Sequence, residues 1–385
     1  MRLVHKIMGC IPALLALGLS SCVYDDVPAP TPERDADKYY VTFSIAASRN
    51  SSATFSSADS RGSAPLDPSG AGLWSDGYVS SAAIPFEDHV MSRNFCVALF
   101  KAGGQMLGHI DLLLPIASNG TSTTLQGQLV LEDENMAETE LRRADHRIMI
   151  VANTPGMTVA DFRSGIEAKS FEYSGVQGSF PAIPMWGVAP ADLSDIRKGQ
   201  TKDLGTVSLL RAMAKIEVFV NSTLDDVSLV SVAVDKGNKS GYVAPNKWNS
   251  VSSTTALRFS ETLRTDASFA FEASRYPVYT AGTDGRITFY IPEYANPASP
   301  AGANPLSGEI TLTVNYEVGG EAHQGLIRFC PYTAGKPDPA ATLNDVIRNH
   351  HYTYEIIGVP TGKDDLRFKP TIQNMEIGGD YVFDY

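Results

Sequence analysis

Apolar and polar residues alternate along this chain more often than they recur at helical spacing, and alternation is the mark of half-buried strands. The first such run is 39–46, YYVTFSIA. Tyr39, Val41, Phe43 and Ile45 fall on one face, and Tyr40, Thr42 and Ser44 on the other. Residues 47–83 are rich in Ser, Gly, Ala and Asp, carry Arg49 and Arg61, and hold little that could pack. A loop that long inside a compact domain tends to be functional or disordered. It is expected to be an accessible, arginine-bearing tether behind a good strand.

Short strands with turn signals follow. Strands are expected at 95–100, 106–114, 125–131 and 147–152, with Asn153-Thr154-Pro155-Gly156 as a turn. The acidic stretch 132–145 and the stretch 157–169 read as short helices. Proline breaks 180–188, which is expected to be irregular. The run 207–220, VSLLRAMAKIEVFV, reads as one long strand. Leu210, Ala212, Ala214, Ile216, Val218 and Val220 share a face opposite Arg211, Lys215 and Glu217, and the β-branched and aromatic IEVFV favours strand over helix. Further strands are expected at 228–234, 287–291, 310–318, 326–330, 351–357 and 366–369, and YVFDY (381–385) closes the series. Many short strands and few helices predict an all-β chain, two β-sandwiches in tandem, with the boundary near residue 206.

The chain begins differently. Arg2 and Lys6 precede an apolar run from Ile7 to Leu19 that is shorter than the ~20 residues a membrane-spanning helix needs. It ends in Leu19-Ser20-Ser21-Cys22, an aliphatic residue, two small ones and a cysteine. That is the pattern of a bacterial lipoprotein signal, in which the cysteine thiol takes the lipid before the chain is cut. Residues 1–21 are therefore expected to be a signal peptide and Cys22 the lipidated residue. Several acyl chains at about 0.8 kcal/mol per CH₂ would anchor the chain durably in a membrane. Residues 22–38, with Pro28, Pro30 and Pro32, read as an extended, solvated linker.

The net charge is −12. Losing Arg2 and Lys6 with the signal makes the chain more acidic still, which argues against nucleic acid as a partner. Of the 4 cysteines, Cys96 and Cys330 remain in apolar runs and are expected to be buried free thiols. No nucleophile elbow, phosphate loop or zinc-protease helix motif is found. Gly335-Lys336 runs into Pro337. His350 and His351 point to opposite faces of a strand, and Trp74, Trp186 and Trp248 are expected to pack in core or loops. Nothing assembles into an enzyme's constellation, and neither a cofactor nor a metal is expected.

Several stretches together resemble the fimbrillin superfamily of Bacteroidales, the subunits of type V pili. They are the lipobox followed by Tyr24-Asp25-Asp26, FEDHVMSRNFCVALFKAGGQML, IMIVANTPG, IPMWG with VSLLRAMAKIEVFV, FYIPE, RNHHYTYEI and the terminal YVFDY. The resemblance implies two transthyretin-like β-sandwich domains, 39–206 and 207–385, on the outer membrane and in the fimbrium. It implies that an arginine-specific protease cuts after an Arg behind the first strand, Arg49 or Arg61. The cut would remove the lipid together with the strand bearing Tyr39, Val41, Phe43 and Ile45. It further implies that a C-terminal strand of a neighbouring subunit fills the groove, with Tyr381, Val382, Phe383 and Tyr385 as candidate donor residues. The partners implied are other fimbrial subunits, the outer membrane through Cys22, and a host or bacterial surface ligand. An unprocessed anchor lipoprotein, a monomeric glycan- or host-binding lipoprotein, and a hydrolase on a β-sandwich are the competing readings.

Overall fold

A computed structural model describes residues 35–47, 89–91, 94–118, 122–172, 182–245, 277–359, 366–374 and 382–384. The fold is all-β. The signal peptide, Cys22, Arg49, Arg61, Trp74, Trp248, Tyr381 and Tyr385 lie outside the described residues.

The first half holds β1 (Tyr39–Ala47), β2 (His89–Met91), β3 (Cys96–Phe100), β4 (Met106–Ser118) and β5 (Ser122–Leu131). After the short helix α1 (Glu138–Leu141) come β6 (His146–Ala152), α2 (Val159–Ser164), β7 (Ser170–Glu172), β8 (Met185–Ala191) and β9 (Thr201–Arg211). Seven of these form one ladder in the order β1-β5-β4-β3-β6-β8-β9, and β9 pairs back onto β1. The sheet thus closes on itself. Closure removes the open edges that an isolated sheet would present. Inside the ring, Val41, Phe43, Ile45, Leu99, Leu125, Ile148, Ile150, Val207 and Leu209 are fully buried.

The stretch 180–188, expected to be irregular, runs into β8, which pairs with β6 along its whole length, His146 opposite Ala191 through Ala152 opposite Met185. Pro184 lies before the strand, and Pro190 sits near its end, where a missing N–H costs least. The long strand expected over 207–220 is also two strands. β9 ends at Arg211, and β10 (Met213–Val220) belongs to a different sheet. The break is Ala212, whose N–H donates to the Pro184 carbonyl at 2.8 Å. Residue 206 lies inside β9.

The second half continues with β11 (Val227–Asp235), β12 (Ser240–Tyr242), β13 (Val278–Thr280), β14 (Ile287–Pro292), β15 (Thr311–Val318) and β16 (Glu321–Arg328). A small hairpin of β17 (Tyr332–Thr333) and β18 (Lys336–Pro337) precedes β19 (His350–Gly358), β20 (Arg367–Asn374) and β21 (Val382–Asp384). Two four-stranded sheets, β14-β10-β19-β20 and β13-β11-β15-β16, share one core. Tyr279 of one stacks on Phe289 of the other at 4.1 Å between ring centres. This core runs on to the outer face of the ring, taking in Met149, Val151, Trp186 and the α2 residue Phe162.

Candidate functional site: the seam closed by the first strand

β1 is one strand deep and joins two strands that do not otherwise meet in the ladder. On one side it is antiparallel to β5, from Tyr39 opposite Leu129 to Ala46 opposite Ser122. On the other it is parallel to β9, from Tyr40 opposite Thr201 to Ala47 opposite Leu209. Its alternation decides its orientation: Val41, Phe43 and Ile45 have no exposed surface and Tyr39 very little, while the polar residues between them face outward. A one-residue slip would turn all four outward and bury Tyr40, Thr42 and Ser44.

The register is pinned midway. Between Thr42 and Ser44, β9 carries one extra residue, so Leu204 and Gly205 together face Phe43. Gly205 adopts φ 78°, the left-handed region that a side chain resists, and this forms the bulge. The Gly205 N–H donates to the Asp203 carboxylate at 3.0 Å, fixing the turn of the bulge from within. Leu204 is buried in the ring's interior beside Val207 and Leu209. On the outer face the Ser44 and Thr124 hydroxyls are 2.8 Å apart, and the Gly199 N–H donates to the Lys38 carbonyl at 2.8 Å.

The sequence reading finds β1 and its inward residues. It misses β9 as their parallel partner: it begins a strand only at Val207 and assigns it to the second domain, while β9 starts at Thr201 and passes through Asp203 and Gly205. The alternation of Val207 with Leu209 is the signal that was there. Of the candidate donor residues, Val382 and Phe383 are described, in β21. That strand lies parallel to β2, with Val382 opposite His89 and Phe383 opposite Val90, in a two-stranded sheet of its own.

Several buried charged groups elsewhere are tied into ion pairs. Arg328 binds Glu309 through Nε at 2.7 Å, and Arg348 binds Glu293 through Nη2 at 2.7 Å. Glu217 receives Arg286 at 2.6 Å and faces His351 Nε2 at 3.1 Å. Among the described residues no group of His, Cys, Asp and Glu side chains could hold a metal ion, and no helix is long and apolar enough to cross a membrane. Cys96 and Cys330 are free thiols. Burial raises both, Cys330 to about 11. Trp186 is fully buried in the core.

No protein-family model matches the chain, and no curated protein matches it in sequence. Similar solved structures are fimbrial proteins and candidate cell adhesion proteins. The tip fimbrial protein Mfa3 of Porphyromonas gingivalis, truncated at its C-terminus, matches with TM-score 0.49 at 13% identity, over 88% of this chain and 99% of that one. The fimbrilin FimA of P. gingivalis W83 matches with TM-score 0.45 at 13% identity, over 88% and 98%. A candidate cell adhesion protein of Parabacteroides distasonis matches with TM-score 0.45 at 14% identity, over 88% and 96%.

Proposed function

We propose that this chain is a stalk or tip subunit of a surface fimbrium, non-enzymatic, exported as a lipoprotein through Cys22 and polymerised by strand exchange at the β1 seam. An arginine-specific protease cuts after Arg49 or Arg61, which breaks the covalent link between the lipid-bearing β1 segment and the rest of the chain. A C-terminal strand of the next subunit, residues 381–385, then takes the place of β1. The assembled fimbrium stands on the outer membrane and serves adhesion.

The observation that carries this reading is the place of β1. It is the N-terminal described strand, the two cut sites fall just behind it, and it fills a seam between β5 and β9. Removing it would expose four apolar side chains at about 1.5–3 kcal/mol each, and with them the backbone edges of β5 and β9. An edge of that kind favours the addition of an extended strand. The alternation of Tyr381, Phe383 and Tyr385 suits one. The pairing of β21 with His89–Met91 is only three residues long, and a two-stranded sheet of that size is marginal in water. The C-terminal strand can leave it at small cost.

The test is assembly in vitro. Purified chain is treated with an arginine-specific protease and followed by size and by electron microscopy. Polymers should form, and a chain lacking residues 381–385 should be cut but stay monomeric. Intact chain that is cut behind β1 and remains monomeric would refute the reading.

A further inference from the structure

We infer that β9 is a hinged flap whose strand structure exists only while the β1 position is filled. The inference stands on the ladder alone and does not depend on how the seam is used.

The two strands beside β1 are held very differently. β5 has a second neighbour along its whole length, since β4 pairs with it from Gly108 opposite Leu131 to Ser118 opposite Thr123. Among the described residues β9 has no such neighbour. Its only ladder pairs with β8 are Met185 with Arg211 and Trp186 with Leu210, at its C-terminal end. Gly187 follows on β8, and the Ser208 carbonyl would lie 2.4 Å from a Cβ placed there. The two strands therefore come close without pairing. From Thr201 to Leu209 the backbone ladder runs to β1 and nowhere else among the described residues. The inward side chains Leu204, Val207 and Leu209 share the ring's interior with the β1 residues Val41, Phe43 and Ile45. Losing β1 takes away both kinds of support at once.

The other end of β9 is fixed. Arg211 is fully buried, and its backbone N–H and its Nη1 both donate to the Asn349 carboxamide oxygen, at 3.3 and 3.4 Å. The Asn349 N–H donates to the Met213 carbonyl at 2.9 Å, and the Ala212 N–H to Pro184 at 2.8 Å. Opening therefore begins at Thr201 and stops at Leu210. An empty seam is then wider than one strand, and a replacement strand rebuilds the wall it lies against.

Hydrogen exchange on the full chain and on Ile45→Ala tests this. Deleting a buried isoleucine side chain should speed local opening about thirtyfold or more. The protected amides of 39–47 and 201–209 should accelerate together by that factor. The β5 amides that bond to β4, and those of 210–220, should not change. If 201–209 keeps its protection while 39–47 loses it, the inference is wrong. It is also wrong if β4-bonded amides of β5 accelerate as much as those of β9, or if the whole chain accelerates as one unit. Should Ile45→Ala fail to fold, the unsubstituted chain in mild denaturant decides: 39–47 and 201–209 must share one opening free energy below that of β6, and separate values refute the flap.

Discussion

Phe43 is the residue on which the seam's register turns. It has no exposed surface, and β9 puts two residues against it. Phe43→Ala should lower the stability of the chain by about 3–5 kcal/mol, read as the shift in a urea unfolding curve. Thr42→Ser, on the outward face, should stay within about 0.5 kcal/mol. Similar shifts for both would mean that the inward face of β1 is not what holds the ring closed. His350 supplies a pH dependence. Its imidazole is buried, its Nδ1–H donates to the Arg348 carbonyl at 2.9 Å, and its ring lies 6.3 Å from that of Tyr352. Burial holds it down at about 4, against 6.5 for an ordinary histidine, with the carbonyl pulling weakly the other way. Between those values the unfolded chain binds a proton that the folded chain refuses. Stability is therefore full above about pH 6.5 and falls as pH drops towards 4, by an amount on the order of 3 kcal/mol. Unfolding curves at stepped pH should show that slope, and His350→Gln, which cannot charge, should lose it.

At the scale of the element, β1 is held by two ladders and four buried side chains. A cut behind it should not by itself release it. After limited arginine-specific digestion of a chain lacking residues 381–385, which offers no competing strand, a fragment containing 39–47 should co-elute with the rest on gel filtration and separate only in denaturant or when another strand is added. Immediate loss of the fragment would show a weaker hold than the geometry implies. The same digestion should spare Arg142 and Arg143. They are exposed, but the Arg142 N–H donates to Glu138 at 2.8 Å and the Arg143 carbonyl accepts the Leu193 N–H at 2.9 Å, so neither can enter a protease as an extended chain. Much of this is legible in sequence: β1, β11 and β15 stand where alternation places them, because each buries one face, and β6 stands where its apolar run places it, buried on both faces. β8 is obscured by Pro184, which stands immediately before the strand without breaking it. β9 and β10 read as one strand because the alternation passes through Ala212 unbroken, and only the partner strands reveal the change of sheet. The pairing of Val41 with Lys202 leaves no local mark at all, so the closure of the ring could not be read from either segment.

At the scale of the molecule, ring and sandwich are joined rather than strung together. Ala212 is the whole connection between β9 and β10, β7 of the first half pairs with β12 of the second, and Arg211 at the end of β9 donates through Nη1 to the Asn349 carboxamide oxygen at 3.4 Å. One hydrophobic core spans the joint. Such a body suits a subunit that must keep its two ends in fixed relation along a polymer. The central claim concerns what happens at the other end of the chain, before the ring. The most direct measurement is the N-terminus of the protein taken from intact surface fibres of the cell that makes it. The account predicts a chain beginning at Asn50 or Gly62, with lipid and β1 gone and the seam filled by another subunit. A chain that begins at lipid-modified Cys22 in those fibres would contradict it.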